Sequence, residues 1–311
     1  MLFLLWWLGY VIITLSIIIL LAIFIPRFQG VFVYLHLFHP LPACLFSLDT
    51  YGKPDSTVSL QLRTPDGETL GAWLIHKPGF DFIHSSTPYE RVILHLHGNA
   101  ASRRHTRRIR SMKVLIDTLA ADALLSIDYR GFADSSGTPT EAGFISDALT
   151  AYNFLTQEKA VKEVIVWGHS LGSGVATALA SHIFTHNIQP PPLALFLEAP
   201  FLSMRDAAMS HWVGYPIRIL PLPIRRFVLK RIVHKFNTAK RISKGLIKCP
   251  LMILHSKDDG IINVEQGMTL YRLATDQGMN TRISILEDAG HNCCTFDPTS
   301  QTNIRAFIAS L

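Results

Sequence analysis

The stretch EVIVWGHSLGSGVATALASHIF, residues 163–184, decides how the rest of the chain is read. Its first five residues are β-branched, aromatic or acidic and form a short strand. From Leu171 onward small and apolar residues read as a helix. Between the two lies Gly168-His169-Ser170-Leu171-Gly172, a G-x-S-x-G pattern, with Gly174 just beyond. A strand that turns this sharply into a helix holds its central residue in a strained backbone conformation, and flanking glycines let neighbours pack close around it. Ser170 Oγ is thereby lifted off the sheet at the positive end of a helix dipole. That context predicts Ser170 as a nucleophile. His169, inside the same turn, is expected to point away from the hydroxyl and pack.

A serine hydroxyl is a weak nucleophile at neutral pH, so it needs a base, and the base needs an orienting acid. After the strand-like PLMILH (250–255) come Asp258 and Asp259; after TRISIL (281–286) come Gly290 and His291. Acid and base each follow a strand end, in the order Ser, Asp, His. Asp258 and Asp259 are both placed to serve as that acid. An acyl transfer also needs donors for the developing oxyanion. The Leu171 N–H is one candidate. The other comes from His97-Gly98-Asn99-Ala100, with Asn99 N–H chosen over Ala100. His95 and His97 share one strand face, but no third ligand accompanies them, so no metal is expected, and no cofactor motif is present.

The element order predicts the fold class. VSLQLR (58–63) and TLGAWLI (69–75) flank Pro65-Asp66-Gly67 and read as a hairpin. RVILHLH (91–97), ALLSI (123–127), EVIVW, LALFLE (193–198), PLMILH and TRISIL then alternate with helical stretches near 102–119, 140–158 and 300–311. This predicts an α/β protein with a mostly parallel central sheet, helices on both faces and a cap inserted at about 200–248. Nucleophile, acid and base at the carboxyl edge of such a sheet fit the α/β-hydrolase arrangement.

Five blocks in order, LHLHGNAASR, SIDYRGFADSSGTPTEAG, VWGHSLGSGVAT, LEAPF and ILHSKDDGI, resemble the α/β-hydrolase-domain lipases of the monoacylglycerol and lysophosphatidylserine lipase branch. The resemblance runs from about Val58 to the C-terminus. It implies Ser170 as nucleophile, Asp259 as acid, His291 as base, and a lipid acyl ester as substrate. It also implies that Asp128 to Gly131 brace loops below the site. Ala133 stands where relatives generally carry glycine. The H-x4-D signature of related acyltransferases is not met, since Asp297 lies six positions after His291. Related enzymes of this fold also cleave protein thioesters, and a catalytically silent membrane scaffold is the reading from another class.

Of 311 residues, 49% are apolar, 17% are charged, and the formal charge is +6. So apolar a chain excludes intrinsic disorder. Four scattered cysteines, Cys44, Cys249, Cys293 and Cys294, exclude a disulfide scaffold. Residues 2–25 carry no charge, enough for a helix of about 36 Å across a hydrocarbon core of about 30 Å. They are read as a transmembrane anchor; a cleaved signal would have a basic start and a shorter apolar run. Arg27 weakly favours a cytosolic catalytic domain, with an endomembrane such as the endoplasmic reticulum as the expected location. Residues 26–56 form a juxtamembrane connector and 57–311 the hydrolase domain. No nucleic-acid motif accompanies the positive charge. Arg103, Arg104, Arg107, Arg108 and Arg110 follow His97-Gly98, and no acid occurs between Asp206 and Asp258. Both features are expected to put basic residues near the mouth of the site, facing an anionic lipid surface. Residues 224–236 are expected to form an imperfectly amphipathic lid helix.

Overall fold

The computed structural model describes residues 56–77, 89–210 and 215–311, with isolated positions nearer the N-terminus that include Gln29 and Tyr34. Most of the 2–25 run and of the 26–56 connector lies outside the described residues. No helix among the described residues is long and apolar enough to cross a membrane.

Eight strands form one sheet: β1 (Thr57–Arg63), β2 (Thr69–His76), β3 (Arg91–Leu96), β4 (Ala123–Ile127), β5 (Glu163–His169), β6 (Ala194–Glu198), β7 (Leu251–Ser256) and β8 (Thr281–Leu286). Their spatial order is β1-β2-β4-β3-β5-β6-β7-β8. The hairpin pairs Thr57 with Ile75 and Arg63 with Thr69, and β2 runs antiparallel to β4. Every other pairing is parallel. The parallel strands are apolar almost throughout because both faces are covered. Period-two alternation divides their side chains. Val92, Leu94, Val164 and Val166 join one core cluster, and Ile93, Ile165 and Trp167 join the other.

Helices α2 (Glu141–Asn153), α3 (Leu171–Thr185) and α8 (Val264–Asp276) cover the first face through Phe144, Val175 and Leu270; α1 (Thr106–Thr118) and α9 (Pro298–Ile308) cover the second through Met112, Ile304 and Phe307. The expected helices differ from the sequence reading at their ends. The first begins at Thr106 rather than near 102, because residues 98–102 are drawn into a loop at the site. The second starts at Glu141, with the Thr140 side chain accepting from Gly143 N–H, and its last turn widens to a π-turn over Phe154–Glu158. The last begins at Pro298, where Asp297 Oδ1 accepts from Ser300 N–H at 2.9 Å. Asp297, excluded as an acyltransferase signature, is thus a helix cap.

The chain between β6 and β7 carries α4 (Met204–Ser210), α5 (Tyr215–Arg218), α6 (Leu222–Lys230) and α7 (Thr238–Ser243). Here the expected lid helix stops at Lys230 instead of running to 236. Gln29 interrupts it: its Nε2 donates to the Arg231 carbonyl at 2.8 Å and its Oε1 accepts from Val233 N–H at 3.0 Å. Phe236, at the end of the expected lid helix, instead turns inward and is fully buried. Tyr34, in the expected connector, is also fully buried, its ring tilted against Phe144 and His234 with centroids 4.8 and 4.9 Å away.

The Asp128–Gly131 block braces loops as the resemblance implied. Arg130 N–H and Nε donate to Asp147 at 2.8 and 2.9 Å, while Arg130 NH1 reaches Asp66 in the hairpin turn at 2.6 Å. Ala133 has φ of 46°, in the left-handed region where glycine is unstrained. That accounts for glycine in relatives.

Candidate active site

The site grows from the carboxyl ends of β3, β5, β6, β7 and β8. Ser170 sits between β5 and α3 with φ 49° and ψ −116°. Its N–H donates to the Glu198 carbonyl at 2.9 Å, which fixes the turn to β6. A Cβ on Gly168 would meet the Gly172 carbonyl oxygen at 2.4 Å, and one on Gly172 would meet the Leu96 carbonyl oxygen at 2.0 Å. Both glycines are required by this packing.

The structure brings the three expected residues together. His291 Nε2 lies 2.9 Å from Ser170 Oγ, and His291 Nδ1 lies 2.8 Å from Asp259 Oδ2. The Ser170 hydroxyl donates to Nε2 and Nδ1–H donates to the carboxylate, the geometry of a nucleophile, base and orienting acid. Asp259 Oδ1 also accepts from Ile261 and Ile262 N–H at 2.8 and 2.9 Å. Burial opposes its charge, but bonds from His255 and His291 outweigh it and hold the carboxyl well below the usual carboxylate range. Asp258 has a different place. It accepts from Gly290 N–H at 2.7 Å and from Ser256 Oγ, tying the loop after β7 to the loop that carries His291.

Residues 97–101 form the facing loop. A Cβ on Gly98 would lie 2.7 Å from His169 Nδ1 and 3.3 Å from Ser170 Cβ, so the bare backbone is what allows the approach. Ala100 and Ala101 have φ of 52° and 50°. Ala100 N–H donates to the Tyr34 carbonyl at 3.3 Å. Leu171 is the first residue of α3, where N–H groups lack intrahelical acceptors.

Of the arginines expected at the mouth, two are directed inward. Arg103 is buried between Asp128 and Asp134, with 2.7 and 2.8 Å bonds to Asp134. Arg108 turns onto the facing loop, where its NH2 meets the carbonyls of Gly98, Asn99 and Ala100 at 2.9, 2.9 and 2.8 Å and its NH1 that of Ser102 at 3.0 Å. Arg104, Arg107 and Arg110 remain exposed. The basic mouth is therefore smaller than the sequence implied, because charge density in sequence does not say which guanidinia find internal acceptors.

Several neighbours were not singled out from sequence. His255 Nε2 stands 3.2 Å from Asp259 Oδ2. The Glu198 carboxylate accepts from Trp167 Nε1–H at 3.2 Å and from the Thr295 N–H and hydroxyl at 3.2 and 3.0 Å, so it anchors the segment following His291 to the sheet. Burial pushes this carboxyl up. Both residues are polar groups ending apolar strands, and that position was the available signal. His169 packs as expected, its Nε2–H donating to the His291 carbonyl at 3.0 Å. Burial, then the neighbouring His291, bring its pKa down to about 3, so it stays neutral. His95 is buried beside Ser126 Oγ at 3.1 Å. No cluster able to hold a metal occurs among the described residues.

Residues 93–303 match the profile of the Alpha/beta hydrolase family. Protein ABHD12B of Homo sapiens is 33% identical over 274 residues, 83% of this chain and 74% of that protein. Lysophosphatidylserine lipase ABHD12 of Danio rerio is 35% identical over 70% of this chain, and its Mus musculus counterpart 38% identical over 70%. The chain spans only 59% and 56% of the length of those two lipases. Among solved structures, the α/β-hydrolase from Vibrio vulnificus superposes with a TM-score of 0.68 at 22% identity, covering 92% of this chain and 93% of that one. The Pyrococcus furiosus esterase Pf2001 gives 0.62 at 18% identity over 82% and 90%. These likenesses concern the fold. With the family match covering most of the described residues, the chain belongs to the α/β-hydrolase family, in the branch of these lysophosphatidylserine lipase relatives.

Proposed function

We propose that this chain is a membrane-anchored serine hydrolase that cleaves the acyl ester of a single-chain lipid, a monoacylglycerol or a lysophospholipid. The observation that carries the reading is the continuous path Ser170 Oγ, His291 Nε2, His291 Nδ1, Asp259 Oδ2, with links of 2.9 and 2.8 Å, built on a strained elbow. Ser170 attacks the acyl carbonyl while His291 takes the hydroxyl proton, and Asp259 stabilises the imidazolium. Leu171 and Asn99 N–H groups receive the oxyanion. Collapse expels the glycerol-bearing alcohol, protonated by His291. Water, deprotonated by the same histidine, then releases the fatty acid and restores Ser170.

The names of the curated relatives support a lipid ester as the substrate. In this reading residues 2–25 are a single membrane anchor in an endomembrane, 26–56 its connector, and 57–311 the hydrolase domain with its cap near 200–248. Two features support placing the cap at the bilayer. Gln29, four residues after Ile25 at the end of the charge-free run, is bonded to the turn that follows α6. Cap side chains Ile219, Leu222, Ile224 and Phe227 are exposed beside Arg218, Arg226 and Lys230. Apolar and basic side chains together suit the interface of an anionic bilayer.

The test is fatty-acid release from monoacylglycerols, lysophospholipids and an acyl-thioester peptide by membranes holding the full chain or its Ser170→Ala form. Release from a lipid, absent in the variant, is the expected result. Cleavage of the thioester alone would replace the lipase reading with a protein depalmitoylase, and release by Ser170→Ala equal to wild type would overturn the serine mechanism.

A further inference from the structure

Arg108 lies against the facing loop with an unusual set of partners. Its guanidinium meets four main-chain carbonyls, Gly98, Asn99, Ala100 and Ser102, all between 2.8 and 3.0 Å. Among the described residues no carboxylate forms an ion pair with it, although Arg103, five positions earlier, pairs with two. A part-buried arginine with no paired acid is the exception, since its charge is costly to desolvate unless its donors are satisfied. Here the backbone satisfies them. The loop in turn has no regular structure of its own, and Ala100 and Ala101 both lie at positive φ. Such backbone persists only where the surroundings over-determine it.

We infer that Arg108 is a positioning residue for the oxyanion-hole loop, fixing its carbonyls on one side so that the Asn99 N–H is directed to the other, where Ser170 stands. This rests on the serine-hydrolase reading above. The geometry follows from peptide planarity. In a trans peptide the C=O of one residue and the N–H of the next point in opposite directions. When the Gly98 carbonyl is held on Arg108, the Asn99 N–H in the same peptide must face away from it. The next peptide shows the same rule: the Asn99 carbonyl is on Arg108, and Ala100 N–H leaves the opposite side to reach Tyr34. The loop itself lies close to the nucleophile: a Cβ on Gly98 would stand 3.3 Å from Ser170 Cβ. A cation at the carbonyl end of the Gly98–Asn99 peptide also polarises its N–H toward the charge that develops in the transition state.

Burial brings the Arg108 pKa down to about 10, so the guanidinium remains charged at neutral pH. Its donors are directed to the loop, so it is not the group that would greet a lipid head group. It does border a cavity of about 240 Å³ shared with Arg107, His105 and Asn292. That space gives a small cation a route to its place.

The experiment uses the full chain in membranes, with Arg108→Met, Arg108→Lys and Ser170→Ala forms, on a water-soluble short-chain p-nitrophenyl ester. Arg108→Met should lower kcat about 100-fold, the order found when one oxyanion donor is lost, with KM within about twofold. Arg108→Lys keeps the charge but not the fork, and should lose about tenfold. Added guanidinium should restore part of the Arg108→Met rate and leave Ser170→Ala inactive. The inference is overturned if kcat is unchanged, if KM rises alone, or if the lost rate tracks the folded fraction and guanidinium restores nothing. Arg108→Lys gives the same decision if the methionine form does not fold. Hydrolysis by Ser170→Ala would instead remove the underlying reading, so the two failures are separable.

Discussion

At the level of single residues, His169 connects the site to solution pH. It is held neutral while donating to the His291 carbonyl, with a folded pKa of about 3 against 6.5 for a free imidazole. A histidine shifted downward binds fewer protons folded than unfolded, so its contribution to stability is complete above about 6.5 and lost as pH falls toward 3. Asp259, held below the ordinary carboxylate range, keeps its contribution until pH falls below about 4. The decline in melting temperature between pH 6.5 and 4.5 therefore belongs to histidines. His169→Asn, which keeps a donor for the His291 carbonyl, should make that decline shallower. His95 and His97 are shifted the same way, so it should not vanish. Melting curves from pH 7.5 to 4 compare the two, and parallel curves would show that His169 titrates freely. The Ser170, Asp259 and His291 constellation was legible because each of the three follows a strand end in the sequence. Arg108 was not, because five arginines within eight positions look alike until the backbone decides which carbonyls they face.

Among the elements, strands were read almost to the residue and helix ends were not. Buried parallel strands announce themselves as apolar runs, whereas a helix stops where some other group takes its backbone bonds. Gln29 does so to α6, and no local pattern near residue 230 could reveal it. The same separation hid Tyr34, whose ring fills the space between Phe144, His234 and Phe236. Tyr34→Ala should cost about 3–5 kcal/mol, as large aromatic truncations in a core do. Removing residues 1–27 should leave the domain folded, while removing 1–40 should lower its stability by a similar amount or leave it insoluble. Denaturant unfolding of the two fragments measures the difference. If both unfold together, the segment around Tyr34 is dispensable to the core.

For the whole molecule, the exposed large apolar side chains are not scattered. Among the described residues they fall in the N-terminal run, in the cap between Ile219 and Val233, and at two other places, Ile261 and Leu311. In the membrane reading proposed above, the cap basics, worth about 1 kcal/mol each near an anionic surface, would add to its apolar contact. A Leu222→Ser, Ile224→Ser double variant of the full chain should therefore turn over a lysolipid in phosphatidylserine-containing bilayers about tenfold more slowly. Its rate on a water-soluble ester should not change, and the lipid rate should fall with added salt. Equal lipid rates for variant and wild type would place the cap clear of the membrane. The acid-free basic insertion was legible in the sequence; the fold adds that its large apolar side chains are exposed.

The backbone of Ser170 has a consequence for how such a sequence drifts. A residue held this far from the common regions raises the folded state by about 1–3 kcal/mol, out of a net stability of about 5–15. Selection for a durable fold alone would favour glycine at that position. Ser170→Gly should melt higher than Ser170→Ala, both being inactive, and calorimetry of the pair reads the difference directly. A lineage released from its chemistry would have an uphill past and a downhill exit at this one codon, so a serine kept there records continuing demand for the reaction.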